Sequence, residues 1–119
     1  MKNIIDYDDF SKLDIRSGKV VNATLPEWSD KLIRYEVDLG EEIGKRVLFS
    51  GIRKWYSPEQ MVGKNIPVVV NLAPKKMGDP SAGSGQGEES QGMAIMADEE
   101  GGPTLIFLPE ALEPGTVIR

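Results

Sequence analysis

Two adjacent lysines, Lys75 and Lys76, follow the point where an apolar segment turns polar, and they are well suited to bind phosphate. The apolar run of residues 66–70 precedes them, and Asn71 lies between the run and the lysines. Flexible ammonium groups bind phosphates as point charges, and such contacts hold a nucleic acid without reading its sequence. An ordinary solvated turn is the alternative interpretation. Because a second apolar segment begins just after Ser90, we expect the lysines at the rim of a binding site.

Aromatic and thioether side chains supply further candidate contacts. Basic and aromatic residues are interleaved in Arg53-Lys54-Trp55-Tyr56, and stacking of a base on an aromatic ring contributes about 1–3 kcal/mol. Trp55 is therefore either a stacking surface or a residue packed over the next helix. Trp28, on a predicted turn, is either a lid on the core or a stacking platform. Met77 and Met93 suit a surface that accepts varied partners, and the alternative is that they fill the core.

The composition excludes most catalytic chemistry. The chain contains no cysteine and no histidine, which removes thiolate and histidine nucleophile systems and the usual zinc ligands. The acidic and glycine-rich segments lack the spacing of a calcium loop or a dinucleotide fingerprint. We therefore predict a binding protein that is not an enzyme and requires neither a cofactor nor a metal.

The net charge of −5 does not exclude a nucleic-acid partner, because acids and bases are segregated along the chain. Exposed charges farther apart than about 8–10 Å are largely screened at ordinary salt, so a local basic surface persists on an acidic protein. No apolar run approaches the roughly 18 residues of a membrane helix, and acids follow the N-terminus almost at once. Together with the absence of cysteine, these features predict a cytoplasmic protein with no membrane partner.

Short strands separated by turns account for most of the chain. Residues 33–39 alternate between apolar and polar side chains, which is typical of a half-buried strand. A longer strand is predicted over residues 14–25, with a bulge or a sharp coil at Gly18. Further strands are predicted over residues 45–50, 66–72, 92–97 and 104–108.

Helix signals are few and local. Asp6 is placed to cap a short N-terminal helix, and Ser57-Pro58-Glu59-Gln60 forms a capping box with proline at the first helical position. The second helix lies between the third and fourth strands. We therefore predict one domain over residues 1–119, an all-β small closed barrel of the OB fold. An SH3-like barrel is the alternative, and the helix-bearing connection favours the OB fold.

Several motifs, taken in order, resemble those of the tRNA-binding OB-fold domain family. This family includes the C-terminal domain of methionyl-tRNA synthetase, free-standing tRNA-binding proteins and the CsaA-type chaperone-like proteins. The resemblance covers nearly the whole chain. It rests on Leu13-Asp14-Ile15-Arg16-Ser17-Gly18-Lys19-Val20, Asp30-Lys31-Leu32, Ser50-Gly51-Ile52, Tyr56-Ser57-Pro58-Glu59, Val70-Asn71-Leu72-Ala73-Pro74-Lys75-Lys76-Met77 and Ser90-Gln91-Gly92-Met93.

This resemblance implies tRNA binding at the barrel mouth without sequence specificity. It also implies a homodimer and a free-standing role or an accessory role to an aminoacyl-tRNA synthetase, most similar to the methionyl type. The alternative that it leaves open is a chaperone or protein-assembly module that binds peptides at the same mouth. The residues implicated by matching position are Arg16, Lys31, Asn71, Lys75, Lys76, Met77, Ser90 and Met93.

The chain departs from the family pattern at two places. The segment between Met77 and Ser90 is longer than expected and carries Asp79, Glu88 and Glu89. We expect this acidic insert to gate or weaken the phosphate site. Ser17 also stands where the family usually has an apolar residue.

Overall fold

The computed structural model describes residues 1–78 and 88–119, and within them the chain forms ten strands and three short helical turns. The helical turns are α1 (Tyr7–Phe10), α2 (Gly40–Ile43) and a 3-10 turn at Pro58–Gln60. The strands are β1 (Ile15–Thr24), β2 (Ile33–Asp38), β3 (Lys45–Ser50), β4 (Asn65–Val69), β5 (Lys75–Met77), β6 (Glu88–Ser90), β7 (Met93–Ala94), β8 (Met96–Glu99), β9 (Gly102–Leu105) and β10 (Val117–Ile118).

A six-stranded antiparallel sheet forms the body of the molecule. Its strands lie in the order β3-β2-β1-β4-β7, and β10 pairs with the start of β1. Two small hairpins, β5–β6 and β8–β9, lie outside this sheet. The long strand β1 pairs with β2 along its second half and with β4 along its first half, so it connects both halves of the barrel.

The barrel closes where β3 meets the segment between β6 and β7. The backbone N–H of Gln91 donates to the carbonyl of Val47 at 2.9 Å, and the side-chain amide oxygen of Gln91 accepts from the N–H of the same valine at 2.9 Å. The hydroxyl of Ser90 accepts from the N–H of Phe49 at 3.1 Å. Side chains thus replace part of the backbone ladder at this seam and satisfy buried polar groups of the edge strand.

The apolar face of β2 explains why this chain collapses into a barrel. Ile33, Tyr35 and Val37 are fully buried, whereas the residues between them are only half-buried, as the alternation predicts. The phenol of Tyr35 hydrogen bonds to the hydroxyl of Ser50 at 2.6 Å. Burial raises the pKa of Tyr35 to about 12, and the bond to Ser50 opposes that rise. The phenol is therefore a neutral core group.

The bulge predicted at Gly18 is wrong in position. The register between β1 and β2 shifts between Val20 and Asn22, whereas Gly18 pairs regularly with Ile66. Glycine is needed at position 18 for space, since an added Cβ would lie 3.0 Å from a side-chain methyl of Leu39. The glycine in the sequence therefore marks a close approach of side chains and not an extra residue in the strand.

Ser17, the departure from the family pattern, binds the C-terminal segment. Its buried hydroxyl donates to the carbonyl of Glu113 at 2.8 Å and accepts from the N–H of Thr116 at 3.1 Å. Its own backbone groups bond to Thr116 and Gly115. A polar residue at this position is therefore fully satisfied inside the fold.

The predicted short helices are present as single turns. In the turn between β3 and β4, the N–H of Ser57 donates to the side-chain oxygen of Gln60 at 2.8 Å, which is half of a capping box. Asp6 occupies the N-cap position of α1, but its side chain makes no capping bond there. In the described ranges, no helix has the length and apolar character needed to cross a membrane. The all-β barrel of the OB type is confirmed.

Candidate nucleic-acid interface

The β5–β6 hairpin carries the two lysines predicted to bind phosphate. Lys75 lies opposite Ser90, and Lys76 lies opposite Glu89. Both lysines are exposed. Because successive side chains of a strand point to opposite faces, Lys75 lies on the face that Ser90 turns toward the barrel, and Lys76 lies on the outer face. The segments on either side of the insert are therefore paired directly, and they present their two cations on two different faces.

The acidic groups at the end of the insert have identifiable partners. The guanidinium Nε of Arg34 donates to both carboxylate oxygens of Glu88, at 3.1 and 2.9 Å. Glu88 is thereby neutralised by β2. Glu89 stands across the hairpin from Lys76, where opposite charges attract. Asp79 and the rest of the insert, residues 79–87, lie outside the described residues.

The hairpin reaches a groove at the loop between β1 and β2. Trp28, Lys31, Arg53 and Gly78 line this groove, which has a volume of about 1050 Å³. Lys31 is exposed, and the guanidinium of Arg53 is held by a 2.6 Å bond to the carbonyl of Ser29. The fold therefore brings Lys31 next to the end of β5 although the two are far apart in sequence. The groove connects the hairpin to the β1–β2 loop, and Glu27 and Asp30 line it beside Lys31 and Arg53.

Trp28 is half-buried because it packs on the core. Its ring lies 5.6 Å from that of Phe49, at an interplanar angle of 47°, a tilted geometry that aromatic pairs favour. The side chain also lines the groove. Trp28 therefore covers the core and also forms one wall of the groove.

Ser90 and Asn71, both implicated by matching position, bond within the chain. The hydroxyl of Ser90 is buried in the seam next to Phe49. The amide of Asn71 accepts from the N–H of Asp14 at 2.8 Å and donates to the carbonyl of Lys12 at 2.6 Å. Ser90 thereby fixes the hairpin to β3, and Asn71 fixes the N-terminal segment to the end of β4.

Arg16 lies apart from the lysines, beside the C-terminal segment. Its guanidinium bonds to Asp14 at 2.7 Å and to Glu42 at 3.1 Å, and only 15% of the side chain is exposed. The hydrogen bonds to Asp14 and then to Glu42 raise the pKa of Arg16 above its usual value. Two carboxylate partners therefore already engage this guanidinium within the fold.

The two methionines differ in exposure. Met93, in β7, is 54% exposed, whereas Met77, at the end of β5, is half-buried. Only Met93 therefore offers its thioether fully to a partner.

The structure adds a surface that the matched positions do not include. Trp55 is 43% exposed, and Lys54 holds its ammonium 5.6 Å from the centre of the indole ring. A second groove, of about 600 Å³, runs from Trp55 to Lys31 and Arg53, which also line the groove at Trp28. The interleaved basic and aromatic residues in the sequence are the feature that indicated this surface.

Comparisons with known proteins identify relatives over nearly the whole chain. Residues 15–117 match the model of the family described as "Putative tRNA binding domain". The chain is 42% identical over 117 residues to a methionine–tRNA ligase of Methanosarcina mazei, a match that covers 98% of this chain and 15% of that enzyme. The chain thus spans about a sixth of the length of the synthetases that it matches.

Two solved structures match the complete fold. One is the MetRS related protein from Pyrococcus horikoshii, with 35% identity and a TM-score of 0.86, covering 99% of this chain and 100% of that one. The other is the chaperone CsaA from Bacillus anthracis, with 31% identity and a TM-score of 0.79, covering 98% and 100%. The fold therefore occurs in these structures without the remainder of a synthetase.

Proposed function

Because this chain belongs to the tRNA-binding domain family and is homologous to a segment of methionyl-tRNA synthetases, we propose that residues 1–119 act as one tRNA-binding module and not as an enzyme. The observation that supports this most directly is the basic rim formed by Lys75 and Lys76 on β5 and by Lys31 in the β1–β2 loop. Phosphate contacts from such a rim position RNA by charge and shape. The module works in the cytoplasm, free-standing or as the accessory part of an aminoacyl-tRNA synthetase of the methionyl type.

The matched residues divide into two roles in this proposal. Lys31, Lys75 and Lys76 contact phosphate, and Met93 contacts bases or sugars with its exposed thioether. Arg16, Asn71, Met77 and Ser90 position the elements that carry those contacts, since their side chains are engaged or partly buried within the fold.

We expect tRNA affinity to fall steeply with salt. If Lys31, Lys75 and Lys76 each contact a phosphate, counterion release predicts a loss of about 20- to 40-fold between 50 and 200 mM salt. Titration of labelled tRNA by fluorescence anisotropy at the two concentrations measures this. Absence of binding at 50 mM, or an affinity that is independent of salt, would contradict a phosphate-binding site.

A second candidate function is peptide binding at the same mouth. It is favoured by the likeness to CsaA and by the exposed Met93, because methionine surfaces adapt to varied apolar partners. An apolar peptide that binds without salt dependence, together with no tRNA binding at 50 mM salt, would favour this function over the first.

We also propose that the module is a homodimer. The N-terminal segment buries none of its own apolar side chains: Tyr7 is 73% exposed, Phe10 41% and Leu13 46%. These three line a groove of about 410 Å³ together with Val117 of β10. Lys12, Asp14 and Arg119 also line the groove. A second copy seated there would remove the exposed apolar side chains from water, and two rims would increase avidity for one tRNA.

Sedimentation velocity at micromolar concentration is expected to show a dimer for the wild-type chain and a monomer for Phe10→Glu. A carboxylate buried without a partner strongly disfavours association. Val62→Glu is the matched control, because Val62 is 45% exposed at a site outside this groove. A wild-type monomer, or a Phe10→Glu dimer of undiminished affinity, would refute the proposed interface.

A further inference from the structure

Trp55 forms a ridge between two grooves. One groove, of about 600 Å³, contains Lys31 and Arg53, and the other, of about 360 Å³, lies against the β8–β9 turn. The indole is 43% exposed. Large aromatic side chains are usually more deeply buried than this, so an indole standing between two grooves indicates a contact surface.

The ring is held in one orientation. Its Nε1–H donates to the carbonyl of Gly101 at 2.9 Å. The next residue, Gly102, lies so close to the ring that an added Cβ would come within 2.9 Å of three indole atoms. Only glycine fits there, and the β8–β9 turn therefore supports the indole edge. A contact surface that is already fixed loses little conformational entropy on binding.

The charges around the ring suit a nucleotide. Lys54 places its ammonium 5.6 Å from the ring centre, and a cation–π contact at an exposed site is weak enough to yield to a phosphate. Lys31 and Arg53 line the same groove, in which Asp30 is the single carboxylate among the described residues. Lys31 and Arg53 also connect this groove to the one at Trp28 and the hairpin.

We propose that Trp55 stacks on an unpaired base of the bound RNA, with Lys54 and Lys31 on the flanking phosphates. This subsite rests on the proposed tRNA-binding function and specifies its ligand as a single-stranded nucleotide next to the rim. Every base has a π-face, so the contact adds affinity without reading sequence. A perfectly paired duplex offers no such base, because its bases are stacked internally.

The test compares Trp55→Phe with Trp55→Leu. Both variants lose the bond to Gly101 and keep apolar bulk against Gly102, so their effects on folding are shared, and only phenylalanine keeps a ring. We expect Trp55→Leu to weaken tRNA binding by about five- to 150-fold, whereas Trp55→Phe retains most of the affinity. Circular dichroism melting curves for both variants establish that they are folded.

Fluorine NMR on the wild-type chain labelled with 5-fluorotryptophan reports the contact directly. The chain has two tryptophans, and the Trp55→Phe variant assigns their signals. A short single-stranded RNA is expected to shift the Trp55 signal, and a blunt RNA duplex is expected to leave it in place. If the wild-type chain binds tRNA but Trp55→Leu binds equally well, the subsite is refuted and the rim survives. If the wild-type chain binds no tRNA, the proposed function fails first, and the subsite fails with it.

Discussion

Substitution of both hairpin lysines, Lys75→Gln with Lys76→Gln, is expected to weaken tRNA binding by about 25- to 60-fold at 0.1 M salt. Counterion release makes the binding constant vary as roughly the −0.7 to −0.9 power of salt per phosphate contact. Each contact therefore contributes about five- to eightfold at 0.1 M. Loss of two contacts also lowers the slope of log K against log salt by roughly 1.4 to 1.8. Anisotropy titrations over a salt series measure both quantities, and the glutamate double variant is expected to bind still more weakly.

The hairpin register makes the single variants informative. Lys76 faces Glu89, so part of its field is cancelled, whereas Lys75 faces the neutral Ser90. We therefore expect Lys75→Gln to cost more affinity than Lys76→Gln. Glu89→Gln removes the cancelling charge and is expected to tighten binding. An equal loss from both lysines would show that the RNA contacts both faces of the hairpin alike.

A matched control removes two positive charges at the end of β2 opposite the groove at Trp28. Lys19, in the middle of β1, and Lys45, at the start of β3, are exposed and flank Asp38 in the register of the sheet. Lys19→Gln with Lys45→Gln changes the net charge equally. This variant is expected to bind tRNA with nearly wild-type affinity. If it weakens binding as much as the hairpin variant does, the effect is one of net charge, and no local site exists at the hairpin.

The fold was predictable because its signals are local. The alternation in residues 33–39 indicates β2, and the capping box at Ser57 indicates the turn between β3 and β4. The structural role of a residue within the barrel could not be predicted in the same way. Gly18 could be recognised as unusual, but a bulge and a close approach leave the same glycine in the sequence, and the contact with Leu39 distinguishes them.

The charged residues of the site could be predicted from the sequence, whereas the roles of its polar residues were harder to predict. A lysine is rarely buried, so the exposure of Lys75 and Lys76 follows from residue type. Polar side chains such as Asn71 and Ser90 can face either solvent or backbone, and residue type does not decide between them. Their bonds to Lys12 and Phe49 depend on strands that meet only in the folded chain.

The acidic insert shows how one long-range pair changes an electrostatic argument. From the sequence, Glu88 adds negative charge beside the lysines. In the fold, its carboxylate is bound by Arg34, which lies 54 residues away in the sequence. No local pattern connects the two, because their proximity arises where β6 meets β3, whose Phe49 pairs with Arg34. The expected weakening of the site by this insert therefore depends on Glu89 more than on Glu88.

Asn65→Ala is expected to lower the free energy of unfolding by about 2–4 kcal/mol, since buried carbonyls that lose a donor cost about 1–3 kcal/mol each unless water reaches them. Asn65 is 3% exposed. Its side-chain NH₂ donates to the carbonyls of Pro109, Glu110 and Leu112 at 2.9, 3.3 and 3.1 Å. One amide therefore organises the turn that leads into β10. Urea denaturation followed by circular dichroism measures the change as a shift of the midpoint.

Asn65→Asp provides the sharper comparison because it preserves size and replaces the donor NH₂ with a carboxylate oxygen. Its carboxylate would face three carbonyl oxygens, so we expect it to destabilise more than alanine at neutral pH. Asn22→Ala is the matched control, since Asn22 is exposed on the same sheet, and it is expected to change stability by less than about 0.5 kcal/mol. If Asn65→Asp is as stable as the wild-type chain, the amide does not hold the C-terminal segment. The stability of that segment would then have to come from Ser17, whose hydroxyl donates to the carbonyl of Glu113 and accepts from the N–H of Thr116, just before β10 begins at Val117.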